Sequence, residues 1–476
     1  MVDVLSRLPD QWVLDWESAS KNIRNNPAIL VVIDDDPTGT QSVSDLPVLL
    51  RWDIEDFLWA FQTGCRAVYV MTNSRSLSPP NVRRITKEVV VSAIAAAEQL
   101  GKDIVFVSRS DSTLRGHFPL EPQVIADTLV TVGSTAPRRI LLVPAFPDAG
   151  RITVDGIHYT GSIQEDHFVP VGESEFAQDA TFGFFSSHLA QWVEEKSQGS
   201  YTEHDCAILP IGVIRQGPSA TAQWLSSVSD KPIIAVDCAA ETDLQVLALA
   251  LDELDEWNNQ NIYRVGPPFV RSFIGQSVTA PLTKQDVAKI GGSGELSSSS
   301  HGLIVVGSHT SITTAQLQKL TDAYPDIATF TIDVPSVLDS SRRERAIEDV
   351  SKRALQQLAT SSVIINTSRT RIATDNDEES LDIARSVSGA VCEVVSFVLA
   401  RARPTFIVAK GGITSSDIAS KSLGIARAIC RGSLLPGLVA LWEPVDGPFQ
   451  GVPYIVFPGN VGDELSLRTV VGALEG

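Results

Sequence analysis

The sequence predicts an α/β protein built of two α/β domains with mainly parallel sheets, and three observations lead there. Short apolar runs alternate with longer stretches of helical composition, the pattern of βαβ units. A low-complexity segment, Gly291-Gly-Ser-Gly-Glu-Leu-Ser-Ser-Ser-Ser300, interrupts that alternation and reads as a linker. The length, 476 residues, exceeds what one hydrophobic core usually supports. Right-handed crossovers would bring the strand ends of each domain to one rim, so ligand sites are expected at strand C-terminal ends and in an interdomain cleft.

Taken in order, strands are expected at 29–33, 67–72, 104–108 and 139–143, with helices near 53–63, 80–100 and 119–130. Residues 158–230 carry weaker signals: an ordered loop over 173–183, a helix over 184–196 and a strand at 206–210. A strand at 232–236 and a helix over 241–258 resume the pattern. A second unit has strands at 302–306, 328–333, 362–366, 405–409 and 454–457, and helices to about 320 and over 341–359, 379–400, 415–430 and 463–474. The division that follows is 1–270 for the N-terminal domain, 271–300 for the flexible linker region and 301–476 for the C-terminal domain. No short-period repeat points to a solenoid.

Composition narrows the class of partner. The formal charge of −19 opposes a general affinity for nucleic acid, whose phosphates require basic surface. Five scattered cysteines with no Cys-x-x-Cys spacing fit reduced, buried thiols. The polar, Trp-bearing start of the chain lacks the apolar core of a signal peptide, and no apolar run spans a bilayer. A cytoplasmic protein follows, with no membrane or nucleic-acid partner; a homodimer is compatible with the sequence.

The expected strand ends carry the polar chemistry. The first runs into Asp34-Asp35-Asp36-Pro37-Thr38-Gly39, the second into Asn73-Ser74-Arg75-Ser76. The third leads to Arg109-Ser110-Asp111-Ser112-Thr113-Leu114-Arg115-Gly116-His117 and the fourth to Pro144 through Arg151. Three adjacent acids repel one another unless a cation or a ligand offsets them. In the third loop Arg115 can fork onto a carboxylate while Asp111, Ser112 and Thr113 exchange hydrogen bonds with hydroxyls. Arg75, Arg109, Arg115 and Arg151 would form a locally positive pocket, suited to a small polyhydroxylated acid. His117 is a weaker candidate for a substrate contact, since a lone histidine is usually structural.

In the second half, three strand-to-helix turns resemble anion cradles: Gly307-Ser308-His309-Thr310-Ser311, Lys410-Gly411-Gly412-Ile413-Thr414 and Pro458-Gly459-Asn460-Val461-Gly462-Asp463. Together they favour a nucleotide. No Walker A loop, Gly-x-Gly-x-x-Gly fingerprint or His-Glu-x-x-His motif occurs. From these residues alone an acid-sugar aldolase or isomerase, or a non-catalytic sugar-acid-binding protein, stands beside a kinase.

These motifs, with Gly150-Arg151-x-x-x-Asp155-Gly156, resemble in order the four-carbon acid sugar kinase family, formerly DUF1537. The resemblance implies an ATP-dependent kinase for threonate, erythronate or 3-oxo-tetronate, with a sugar-acid domain followed by a nucleotide domain. It implies nucleotide contacts at Ser308, Gly411, Gly412, Ile413, Thr414 and Gly459, and acid-sugar contacts at Asp35, Arg75, Asp111 and Arg115. Ser112, Thr113 and Arg151 complete the expected substrate set, and Asp35, Asp36 and Asp111 the catalytic one. A carboxylate of the Asp34–Asp36 run or Asp111 would take the hydroxyl proton, while the others hold Mg²⁺ through water. Asp34 as a third acid, Pro37, and His309 after the Gly-Ser pair depart from the family pattern.

Overall fold

The computed structural model describes residues 4–163, 166–254, 261–290, 301–368 and 377–475, without the side chains of 377–382. The chain divides into two units, Met1–Thr279 and Ala280–Gly476. The glycine- and serine-rich stretch 291–300 lies outside the described residues, and 271–290 carries the end of a helix over Pro267–Phe273 and another over Lys284–Ala288.

The first unit is built on β1 (Ile29–Asp34), β2 (Leu46–Leu49), β3 (Ala67–Met71), β4 (Ile104–Arg109) and β5 (Arg139–Val143). Three further strands, β6 (Arg151–Val154), β7 (Ile157–Ser162) and β8 (His167–Pro170), form a separate antiparallel sheet. The main sheet continues with β9 (Cys206–Leu209), β10 (Ile233–Val236) and β11 (Asn261–Val265). Its order is β2-β3-β1-β4-β11-β5-β10-β9, parallel throughout. β1 is buried along its whole length, as a strand covered on both faces must be, which explains its unbroken apolar sequence. Helices Ile54–Gln62, Pro79–Leu100 and Leu120–Thr131 pack Phe57, Phe61, Val89, Val90, Ala93, Ile125 and Leu129 into the core beside Val31, Ile33 and Phe106.

The second unit contains β12 (Leu303–Val306), β13 (Ala328–Ile332), β14 (Val363–Thr367) and β15 (Ile407–Lys410). It ends with β16 (Arg427–Leu435), β17 (Val439–Pro444) and β18 (Tyr454–Phe457). The order is β13-β14-β12-β15-β18-β17-β16, parallel up to β18 and antiparallel beyond.

Several expectations need correction. The helix expected over 415–430 is short, Gly412–Asp417 with one π turn at Ile418–Ser422; Gly424, at φ +62°, ends it, and 427–435 is a strand. Along β16 half-buried Arg427, Ile429 and Arg431 alternate with buried Ala428, Cys430 and Gly432, so a two-residue period overrides the helical propensity of Ala and Arg. The helix expected over 184–196 begins at Leu189, and that over 241–258 ends at Glu253, with 255–260 outside the described residues. β2, β11 and the β6–β8 sheet were not expected.

Candidate functional site

In the first unit the site starts from register. Asp34 ends β1 opposite Arg109, the last residue of parallel β4. Residues so paired point to the same face, and Arg109 Nη1 donates to Asp34 Oδ1 at 2.8 Å and to Asp35 Oδ1 at 3.5 Å. Asp34 and Arg109 are both buried. Gly39 folds over the second Asp34 oxygen so closely that a Cβ there would lie 1.8 Å from Oδ2. This geometry makes Asp34 an internal brace for the turn.

Arg75 follows β3 in a short 3₁₀ turn, Ser74–Ser76, entered through Asn73 at φ +51°. Its guanidinium reaches Asp35 (3.3 Å), Asp36 (2.7 Å) and Asp111 (3.6 Å). Asp36 also accepts from the Thr38 backbone at 2.8 Å and from the Thr38 hydroxyl. Asp111 accepts from Arg115 Nε at 2.6 Å and from Thr113 Oγ1 through the same oxygen, Oδ2. Arg115 Nη1 lies 3.6 Å from Asp179 Oδ2. Arg115 and Arg151 both lie against the Phe176 ring, 5.2 and 5.6 Å from its centroid.

This arrangement corrects the expectation of a generally positive pocket. Arg75, Arg109 and Arg115 are each neutralised by carboxylates. Arg151 has no carboxylate within ion-pair distance among the described residues; it donates to the Ala149 carbonyl, and its buried Nε has no partner. The uncommitted positive charge of the rim is therefore Arg151.

The acids also divide by exposure. The Asp36 and Asp111 side chains are 22% and 14% exposed, whereas Asp35 is at 1%. Burial pushes Asp35 up to about 6 and Asp34 up to about 7 despite the neighbouring guanidinium groups. For Asp111 burial is outweighed by Arg75 and Arg115, which hold its carboxyl far below the ordinary range, and Asp36 is held down by Arg75 and Arg109 in the same way. Asp35 Oδ2 lies beneath Gly116, where a Cβ would come within 2.9 Å of it; Gly116 adopts φ +121°, which glycine alone takes readily.

Two supports went unseen in the sequence. His158 on β7 donates from Nε2 to the Ser112 carbonyl at 2.7 Å and accepts at Nδ1 from Thr153 Oγ1 at 2.9 Å. Burial pushes it down to about 4, so it is a neutral strut for the Asp111–Gly116 loop. Asp237 accepts the backbone N–H groups of Asp155, Gly156 and Ile211 and fixes the turn between β6 and β7. His117 is structural: its Nε2 lies 3.1 Å from the Ser74 and Leu77 carbonyls, and its ring meets Phe182 edge-on. Ser112 is buried at its loop start, and the Thr113 hydroxyl is spent on Asp111.

In the second unit the three turns meet. The hydroxyls of Ser308, Thr310 and Thr313 approach the Gly459 carbonyl at 3.3, 2.8 and 2.8 Å. A Cβ on Gly459 would lie 2.6 Å from Ser308 Oγ, and one on Gly307 would lie 2.0 Å from Thr414 Oγ1. Gly411 stands at φ +123°, and its N–H bonds the Phe457 carbonyl at 2.8 Å. Gly412 opens the short helix, and Ile413 beside it is half exposed. Thr310 caps the Ser311–Ala323 helix, whose first N–H groups lie beside this cradle. Gln316, also unforeseen, donates to the Val461 and Asp463 carbonyls at 3.1 and 2.7 Å and so holds the third turn. His309 is turned to Thr367 at 2.8 Å.

No group of three or more His, Cys, Asp or Glu side chains is placed to hold a metal among the described residues. Each acid expected to hold Mg²⁺ has an oxygen committed to Arg75, Arg109 or Arg115, and the unpartnered second oxygens of Asp34 and Asp35 are buried beneath Gly39 and Gly116. They do not fit a resident metal site.

Comparison with known proteins bears on both units. Residues 30–273 match the sugar-binding N-terminal domain family and residues 303–467 the nucleotide-binding C-terminal domain family. The chain is thus a two-domain protein with a sugar-binding and a nucleotide-binding part. It belongs to the DUF1537 family, the four-carbon acid sugar kinase family. A Salmonella typhimurium LT2 protein provisionally described as a tRNA synthase is similar in fold, with TM-score 0.66 and 18% identity over 92% of this chain and 98% of that one. A Haemophilus influenzae DUF1537 protein gives TM-score 0.59 and 16% identity over 93% and 100%. At such identities the likeness concerns the fold alone. A Bordetella bronchiseptica DUF1537 protein, crystallised with citrate as a domain-swapped dimer, gives TM-score 0.39 and 19% identity over 94% and 98%. No curated protein matches the chain. No helix among the described residues is long and apolar enough to cross a membrane.

Proposed function

We propose that this protein is an ATP-dependent kinase that phosphorylates a hydroxyl of a four-carbon sugar acid of the threonate, erythronate or 3-oxo-tetronate type. The observation that carries the reading is the uncommitted, half-buried Arg151 at a rim of otherwise neutralised charges in the sugar-binding unit. One guanidinium without a carboxylate suits a ligand carrying one carboxylate, and Arg115 and Asp111 near it suit its hydroxyls.

In this reading Arg151 anchors the substrate carboxylate, and Phe176 fixes its plane and that of Arg115. The attacking hydroxyl gives its proton to Asp111. That residue is accessible, and its Oδ1 has only the long 3.6 Å contact with Arg75. A low pKa is no obstacle, because phosphoryl transfer has a loose transition state and depends mostly on positioning. Asp35, buried and paired with Arg75 and Arg109, acts by orienting Arg75. ATP would be held by Ser308, the Gly411–Thr414 turn and Gly459. Magnesium would arrive with the nucleotide as Mg–ATP and neutralise charge on the phosphates.

The test is ATP consumption by the purified protein against a panel of four-carbon sugar acids. ADP release with at least one of them, and none without an acid, is expected. Turnover of a sugar acid without ATP would overturn the kinase reading.

A further inference from the structure

Lys410, the last residue of β15, is fully buried. Among the described residues no carboxylate lies within ion-pair distance of it. Its Nζ donates to the Pro458 carbonyl at 3.0 Å and stands 3.8 Å from the Phe457 ring centroid. One carbonyl and one ring are meagre company for an ammonium group, and a buried cation without a counter-ion is costly. Bracing the Pro458–Gly459 turn would need only a neutral donor, so the positive charge calls for another reason.

The surroundings provide one. The turns 307–311, 411–414 and 458–462 contain no arginine or lysine. The Ser308 and Thr310 hydroxyls reach the Gly459 carbonyl, one residue from the group that Lys410 holds, Gly411 lies against Gly459, and the Gly307 N–H bonds the Lys410 carbonyl at 3.1 Å. A polyphosphate received by these turns would lie close to the buried Lys410 ammonium, which holds the Pro458 carbonyl beside Gly459.

Resting on the reading of this unit as the nucleotide site, we propose that Lys410 is a positioning residue that holds the Pro458–Gly459 turn and sets one buried positive charge under the bound polyphosphate. Burial also pushes its ammonium down to about 7, as expected where the counter-charge is supplied by a ligand.

Titration calorimetry of the full-length protein with ATP, ADP and AMP tests this on the wild type, Lys410→Met and Lys410→Gln. Gln keeps a donor for the Pro458 carbonyl without the charge. Both variants should lose affinity in proportion to ligand charge, about tenfold or more for ATP, less for ADP and least for AMP. The ligand-free Lys410→Gln protein should melt no lower than the wild type, since the donor to the Pro458 carbonyl is kept and a buried charge has been removed. Equal loss for all three nucleotides, with a lower melting temperature, would assign Lys410 a structural role only and overturn the proposal. So would unchanged ATP affinity in Lys410→Gln. A wild-type protein that binds none of the three would instead defeat the nucleotide reading itself.

Discussion

Gly459→Ala puts the nucleotide cradle to a quantitative test. The added methyl would sit 2.6 Å from Ser308 Oγ and 3.0 Å from Ser308 Cβ, closer than non-bonded atoms come. Gly459 does not occupy the left-handed region, so its backbone tolerates alanine and the conflict lies with the side chain. What can give way is the Ser308 hydroxyl, at the expense of its contacts with Thr313 at 3.0 Å and the Gly459 carbonyl at 3.3 Å. Losing one or two neutral hydrogen bonds costs about 1–2 kcal/mol of stability. The methyl and the displaced hydroxyl would then occupy space between the turns, and ATP affinity should fall by roughly tenfold or more. Urea denaturation measures the first effect and titration calorimetry with ATP the second. Wild-type ATP affinity in a variant that shows the stability loss would refute the placement of the nucleotide between Ser308 and Gly459.

The sugar-binding unit yields four further expectations. Asp111→Asn should lower kcat by about 10²–10⁴ with little change in KM for the acid, measured by coupled ADP release; a kcat near wild type would remove Asp111 as proton acceptor. Arg151→Lys keeps the charge but loses the planar fork against Phe176, so KM for the acid should rise several-fold while KM for ATP stays; an unchanged acid KM would move the carboxylate anchor elsewhere. Arg109→Met strands the buried Asp34 and should cost about 3–5 kcal/mol in denaturant unfolding, whereas Asp34→Asn should cost clearly less. The pH dependence has a definite sign. Asp34 is raised by burial from 3.8 to about 7, so the folded chain holds its proton where the unfolded chain does not. Its contribution to stability is full below pH 3.8 and is lost as pH rises through 7. Relative to Asp34→Asn, the wild type should therefore lose stability between about pH 4 and 7; a parallel pH profile in the two proteins would contradict the assignment.

The parallel sheets were legible because strands covered on both faces must be continuously apolar, as Ile29–Ile33 and Leu303–Val306 are. Strand ends were legible for the same reason: the apolar run stops where Asp34, Arg109 and Lys410 begin to face polar partners. The β6–β8 sheet was not, because its strands are only four to six residues long and β7 and β8 mix apolar residues with His, Thr, Gly and Pro at partly exposed positions. The strand 427–435 overlaps the end of the helix expected over 415–430 because Ala and Arg favour helix locally, and only the alternation of buried and half-buried residues, fixed by pairing with β17, reveals the strand. Placing the strand ends on one rim brings the arginines together but cannot say which are neutralised. That depends on register and reach: Arg109 meets Asp34 because the two strands end level, while Arg151 comes from a different sheet and has no carboxylate within ion-pair distance among the described residues. His158 was invisible because a buried neutral histidine has no local signature.

The central claim is that this chain transfers phosphate from ATP to a four-carbon sugar acid. Mass spectrometry of the products formed from ATP and each of threonate, erythronate and 3-oxo-tetronate tests it most directly. The account predicts a phosphorylated acid and ADP in equal amounts from at least one of them, with about a hundredfold less, or lower still, from the Asp111→Asn protein at the same enzyme concentration and time. ATP bound but never consumed with any of the acids, or an acid converted without phosphate incorporation, would contradict it.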